Sequence, residues 1–145
     1  MTTPAGDDLK SVQTICDNTA DAALNLLIGL GPRPTETGAA AVWDTHDALL
    51  KNKVSSLTNL SSSIGATIVV EAISDVWPEL EKLDAVTTTA LGQIAKIADV
   101  NKGLTVAATV ITFATAAIAV VSQPTLGNAG RLVTAFNGVK AQLAA

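Results

Sequence analysis

Between Lys102 and Arg131 the chain runs for 28 residues without a charged side chain, and between Lys53 and Glu71 for another 17. Segments this apolar must face one another, a partner or lipid, because water gives them no compensating contact. Residues 104–121 read LTVAATVITFATAAIAVV, 18 residues that reach the lower end of the transmembrane range. Leu104, Val106, Val110, Ile111, Phe113, Ile118, Val120 and Val121 favour insertion by roughly −2 to −5 kcal/mol even at a bilayer centre, and four threonines oppose it. Neither tryptophan, tyrosine nor a basic cluster anchors its ends. Thr105, Thr109 and Thr112 step by four and three along one face, where each hydroxyl can bond the carbonyl one turn back, so that face tolerates burial and close helix approach. Val106, Val110, Phe113, Ala117 and Val120 form a second stripe. Two fates are compatible with this pattern: a buried central helix, or one that rearranges to meet a membrane.

The rest of the chain is also helical in pattern. Of its 145 residues 48 % are hydrophobic and only 15 % charged, which excludes a disordered chain. The apolar mass is alanine, valine, leucine and isoleucine, and alanine favours closely packed helices. Leu9, Val12, Cys16, Ala20, Ala23, Leu27 and Leu30 predict a first helix, stopped by Gly29, Gly31, Pro32 and Pro34. Thr35 and Thr37 are candidate caps for a second helix over about 37–74, striped by Trp43, His46, Leu50, Val54, Leu57, Ser61, Ile64 and Ile68. Ser61, Ser62, Ser63 and Gly65 make a kink there as reasonable as continuity. Pro78 opens a third helix, striped by Leu80, Leu83, Thr87, Ala90, Ile94, Ile97 and Asn101, and its periodicity resumes past Gly103, so a continuous helix to about Ser122 is favoured over a break. Pro124 ends it. Leu126, Ala129, Val133, Phe136, Val139 and Leu143 predict a last helix.

Short connections make these segments an all-α, antiparallel four-helix bundle. If both long helices are continuous, residues 64–97 lack flanking partners and project as a hairpin tipped at Val76 and Trp77. If they break near Gly65 and Gly103, the bundle is compact.

Charge and cysteine exclude several function classes. Nine basic residues scatter among 13 acidic ones for a net charge of −4, which argues against nucleic acid and against polybasic attraction to lipid. A single cysteine, Cys16, forms no internal disulfide. The first ten residues lack the basic start and apolar core of a cleavable export signal, so the expectation is a cytoplasmic protein or one exported without such a leader.

Catalytic constellations are thin. His46 stands between Asp44 and Asp47, but the i+4 position is Leu50, so no metal pair forms on the helix. Cys16 and His46 lie on neighbouring helices, yet Cys16 sits on an apolar stripe and reads as an inert hydrophobe. Asp17 and Asp21 read as a solvated face, and Gly29 with Gly31 as a helix stop. The expectation is a non-enzymatic chain with no cofactor and no metal.

Function is therefore expected at apolar surfaces. Val69, Val70, Ile73, Val76 and Trp77 form a candidate tip for lipid or a partner protein, since tryptophan suits both interfaces. The helix over 103–121 is the candidate rearranging segment. Membrane association or insertion, toxin- or effector-like and homo-oligomeric in the active state, is the leading expectation. A structural or adaptor bundle that oligomerises or docks a partner protein is the alternative.

Overall fold

The structure, a computed structural model, describes the backbone of residues 4–68, 82–123 and 125–144, with side chains over 10–64 and 89–144 except at 121, 124, 126 and 129. Among the described residues the chain forms five helices: α1 (Pro4–Gly29), α2 (Thr37–Ile68), α3 (Lys82–Ala95), α4 (Val100–Ser122) and α5 (Leu126–Ala144). The fold is an all-α helical bundle, as the periodicity predicts. The third predicted helix is divided, so the described residues form five helices where four were expected.

α1 ends as its glycines dictate. Gly31 adopts φ 66°, a left-handed conformation that costs an L side chain free energy, and Leu30 and Gly31 donate to the carbonyls of Leu27 and Ile28 at 3.2 and 3.3 Å. The Pro32–Pro34 segment is tied to α2 by a bidentate Arg33–Asp44 ion pair, with both bonds at 2.9 Å. At the start of α2 the first intrahelical bond runs from Ala40 N–H to the Glu36 carbonyl at 2.8 Å, so Glu36 holds the cap position between the two threonines expected there. α2 then continues unbroken through Ser61, Ser62, Ser63 and Gly65. Ser61 is buried and donates its hydroxyl to the Asp17 carboxylate of α1, while Gln13 Nε2 donates to the Ser61 carbonyl at 3.2 Å. Ser63 bonds back to the Asn59 carbonyl at 3.0 Å. With these hydroxyls satisfied, the serines do not open the helix.

These contacts orient the first pair. Gln13 and Asp17 meet Ser61, whereas Ala23 and Leu26 pack with Leu50, so α1 and α2 are antiparallel. α4 and α5 are antiparallel too: Lys102 Nζ reaches the Leu143 carbonyl at 3.4 Å, Phe113 meets Phe136 with ring centroids 5.1 Å apart, and Asn128 Nδ2 reaches the Ala119 carbonyl at 3.4 Å. Asn128 also donates to the Gln123 carbonyl at 2.8 Å, closing the end of α4, while its own N–H takes the Thr125 hydroxyl as the α5 cap.

α4 is the centre of the core and packs against α1, α2 and α5. Val106, Val110, Phe113, Ala117 and Val120, the predicted stripe, are all fully buried, joined by Ala107 and Ala114. They meet Val12, Ile15 and Cys16 of α1, Leu57 and Ile64 of α2, and Leu132, Phe136, Val139 and Leu143 of α5. On α5 the buried register is Leu132 rather than the predicted Val133, which is half-buried. Ring packing of Phe113 on Phe136 is extended by Lys140 Nζ, 5.3 Å from the Phe136 centroid.

Two expectations are corrected. The predicted continuous helix to Ser122 breaks at residues 96–99, where Asp99 (φ −90°, ψ 129°) caps α4 by accepting from Lys102 N–H at 2.8 Å. Burial explains the break. At 100° per residue, Ala90 and Ile94 would stand roughly 120–160° around a straight helix from Val106, so one straight rod cannot bury both stripes in one core. Gly103, the alternative position for a break, lies inside α4 and is a point of close approach: an added Cβ would collide with the Leu26 side chain. The projecting hairpin, expected if both long helices were continuous, is the second correction: that condition fails at 96–99, the described parts of its limbs lie in the core, and residues 69–81 lie outside the described residues. Ile64, Ala90 and Ile94 are buried, and α3 packs on α1 and α5.

Phe113→Ala is expected to cost about 3–5 kcal/mol in chemical denaturation, since the cavity opens in the middle of the bundle. Arg33 beside Asp44 holds that carboxyl below its usual range through the hydrogen bond and the paired charge. A lowered carboxyl stabilises the fold above the ordinary aspartate value of 3.8 and loses that contribution as pH falls through the folded value. A carboxyl titration followed by NMR is expected to place Asp44 below ordinary aspartate, and Arg33→Ala to return it.

Candidate functional site: the uncharged outer face of α4

α4 has two faces with different jobs. One is the buried stripe; the other, Thr105, Ala108, Thr112, Thr115 and Ala119, is exposed. Thr109 and Ala116 beside it are half-buried, so the threonine face expected to tolerate burial is mostly turned to water. An outward face normally carries charge, and this one carries none past Lys102. Its four threonine hydroxyls all bond the helix's own carbonyls: Thr105 to Asn101 at 3.0 Å, Thr109 to Val106 at 2.8 Å, Thr112 to Ala108 at 3.2 Å and Thr115 to Ile111 at 2.8 Å. What they present outward is largely methyl groups.

The 23 residues of α4 rise about 34 Å, enough for a hydrocarbon layer about 30 Å thick. Within residues 100–120 the most apolar 18-residue window has a mean hydropathy of 2.0, and 44 % of that window is buried in the bundle. Sequence alone marked residues 104–121 of α4, and the cap at Asp99 adds residues 100–103. Among the predicted rearranging residues, Val106, Val110, Phe113 and Val120 are buried, and Leu104, Ile111 and Ile118 are half-buried. The side chain of Val121 lies outside the described residues.

Beside the outer face runs a surface groove of about 270 Å³, lined by Thr105, Ala108, Thr109 and Thr112 of α4 and by Ala135 and Gly138 of α5. Small residues on both helices create it, and its α5 half was not foreseen because Ala135 and Gly138 fall off the predicted stripe. Four large apolar side chains were missed for the same reason: Leu24 and Ile28, one turn apart on α1, and Val42 and Leu49, two turns apart on α2, are 42, 69, 56 and 42 % exposed. The predicted tip residues, Val69, Val70, Ile73, Val76 and Trp77, lie outside the described residues.

The residues with chemical potential are kept apart. Cys16 is fully buried, and desolvation, with a smaller push from the neighbouring Asp17 charge, raises its thiol to about 12. Because Ser61 is held against Asp17, and His46 is fifteen residues earlier on the continuous α2, His46 stands about 22 Å along the helix from that level. The Cys16–His46 pairing entertained from sequence therefore does not form. Asp17 accepts from Ser61, and Asp21, one turn on, is exposed; among the described residues neither belongs to a group of three or more potential metal ligands. Asp47 pairs with Lys51 one turn on, at 3.0 Å. Trp43 Nε1 is buried and, among the described residues, has no hydrogen-bond partner.

Comparison with protein families, characterised proteins and solved structures finds no match to this chain.

Native protein at pH 8 is expected to react with a thiol reagent only as fast as the bundle opens, and at the full rate in denaturant. The raised thiol also fixes a sign: its contribution is present below the ordinary value of 9.0 and declines as pH rises from there toward about 12.

Proposed function

We propose that the protein is a non-enzymatic, membrane-associating bundle, homo-oligomeric in its active state, in which α4 is the segment that exchanges protein contacts for lipid. Assembly of such helices into a pore, as toxins and effectors do, is the form of activity this reading favours. One observation supports it above the rest: α4 is long enough to span, carries only Lys102 near its start, and keeps every threonine hydroxyl bonded to its own backbone. Moving such a helix into hydrocarbon strands almost no polar group, and the long stem of Lys102 lets its ammonium remain at the interface. Leaving the bundle also exposes the apolar faces of α1, α2 and α5, which lipid or further copies of the chain would cover. The segment with Val69, Val70, Ile73, Val76 and Trp77 is, by its sequence, a second lipid-facing element.

A second reading, a bundle that oligomerises or docks a partner protein without lipid, is favoured by exposed Leu24, Ile28, Val42 and Leu49. Light scattering separates the two. A stable oligomer in plain buffer supports packing, whereas a monomer that assembles only with lipid supports insertion.

Vesicle flotation and dye leakage test the leading reading when wild type is compared with Thr112→Lys. Thr112 is exposed, so the variant is expected to keep wild-type circular dichroism and stability within ~0.5 kcal/mol. A lysine at a bilayer centre costs about 3 kcal/mol, so leakage is expected to fall roughly a hundredfold. Absence of flotation and leakage for wild type with every lipid composition sinks the reading.

A further inference from the structure

The break between α3 and α4 is held from outside. Lys96, Ile97, Ala98 and Asp99 include no proline or glycine, and among the described residues no non-glycine residue has positive φ. Asp99 already has a near-helical φ of −90°, so ψ, at 129°, is the angle that keeps it out of a helix. Local sequence thus permits one helix through the joint, although the buried stripes on its two sides are out of phase.

What bends the chain is tertiary. The joint sits at the C-terminal end of α1, where Ile97, Ala98 and Val100 line a cleft of about 300 Å³ with Leu26, Gly29 and Leu30. Leu26 presses on Gly103, while Ile97, Val100 and Leu104 pack with Leu26 and Leu50. From there both α3 and α4 pack on α1. The bend is what allows Ala90 and Ile94 to share a core with Val106 and Phe113, although roughly 100–160° separates them around a straight helix. In water the bent form therefore buries both stripes, and a straight form would expose one. Once α4 lies in hydrocarbon its stripe is covered by lipid and no longer has to share a core with Ala90 and Ile94, which leaves the joint, with Lys96 and Asp99 outside the hydrocarbon, free to take up helical hydrogen bonds.

We propose that residues 96–99 are a conformational switch, bent in water and straight in lipid, converting α3 and α4 into one helix over 82–122 about 60 Å long. The switch rests on the membrane reading and adds to it the motion that frees α4 from α1.

Spin labels at Thr89→Cys and Thr112→Cys, both exposed positions, read the joint directly; buried Cys16 stays unlabelled in the folded protein. In buffer the bent chain gives a separation shorter than that of a straight helix. On phosphatidylcholine vesicles the straight helix is expected to add a population near about 34 Å. Ala98→Pro forbids a helix through the joint yet replaces an exposed residue between the two helices, so it is expected to keep the buffer distance and abolish the long one. If that variant loses wild-type circular dichroism, Lys96→Gly with Ala98→Gly takes its place and is expected to reduce the long population severalfold. Flotation is measured on the same samples. Vesicle-bound protein that keeps only the short distance overturns the switch and leaves the membrane reading standing, as does a long population undiminished by the joint variants. Failure to float overturns both.

Discussion

Burial of one α4 stripe, Val106, Val110, Phe113, Ala117 and Val120, is the interaction on which the remaining structure depends. α1, α2 and α5 each contribute their apolar side to it, and removing that stripe would leave three helices with no shared core. The side chains are small apart from Phe113, so close approach of the helices matters more than the size of any single contact. α3 is recruited to the same core through Ala90 and Ile94, and that requirement bends the chain ahead of α4.

Polar groups in this bundle act mostly at helix ends and at one clasp. Asp99 opens α4, Asn128 closes it, and Thr125 opens α5. Gln13, Asp17 and Ser61 set the register of α1 against α2 in the middle of an apolar interface. Because polar bonding is directional whereas aliphatic packing is not, these few contacts choose among sliding registers that small side chains would otherwise permit. The same economy leaves α4 with an outer face that satisfies its hydroxyls internally and demands nothing specific from its surroundings. That face is tolerated by water and by hydrocarbon, which is the physical basis of the function proposed for it.

Much of the fold was legible from spacing. The buried positions on α1, from Val12 to Ala23, and on α4, from Val106 to Val120, recur at three and four residues and need no knowledge of neighbours. The α1 stop was legible because Gly31 and the prolines act locally. Leu132 and Val133 are adjacent and both apolar, so only packing against Phe113 and its neighbours chose between them. The groove at Ala135 and Gly138 was illegible for a similar reason: a furrow is a property of two helices and belongs to neither sequence.

The chain by itself determined that it would be helical, where its first helix would stop, and that two segments would lack charge, because propensity, backbone freedom and composition are local quantities. Tertiary structure decided that α2 would run through its serines, that α3 and α4 would part at 96–99, and that one face of the uncharged helix would be buried and the other turned outward. Each of those outcomes depends on what lies opposite: a carboxylate for Ser61, a leucine for Gly103, a common core for two stripes that a single straight helix places on different sides.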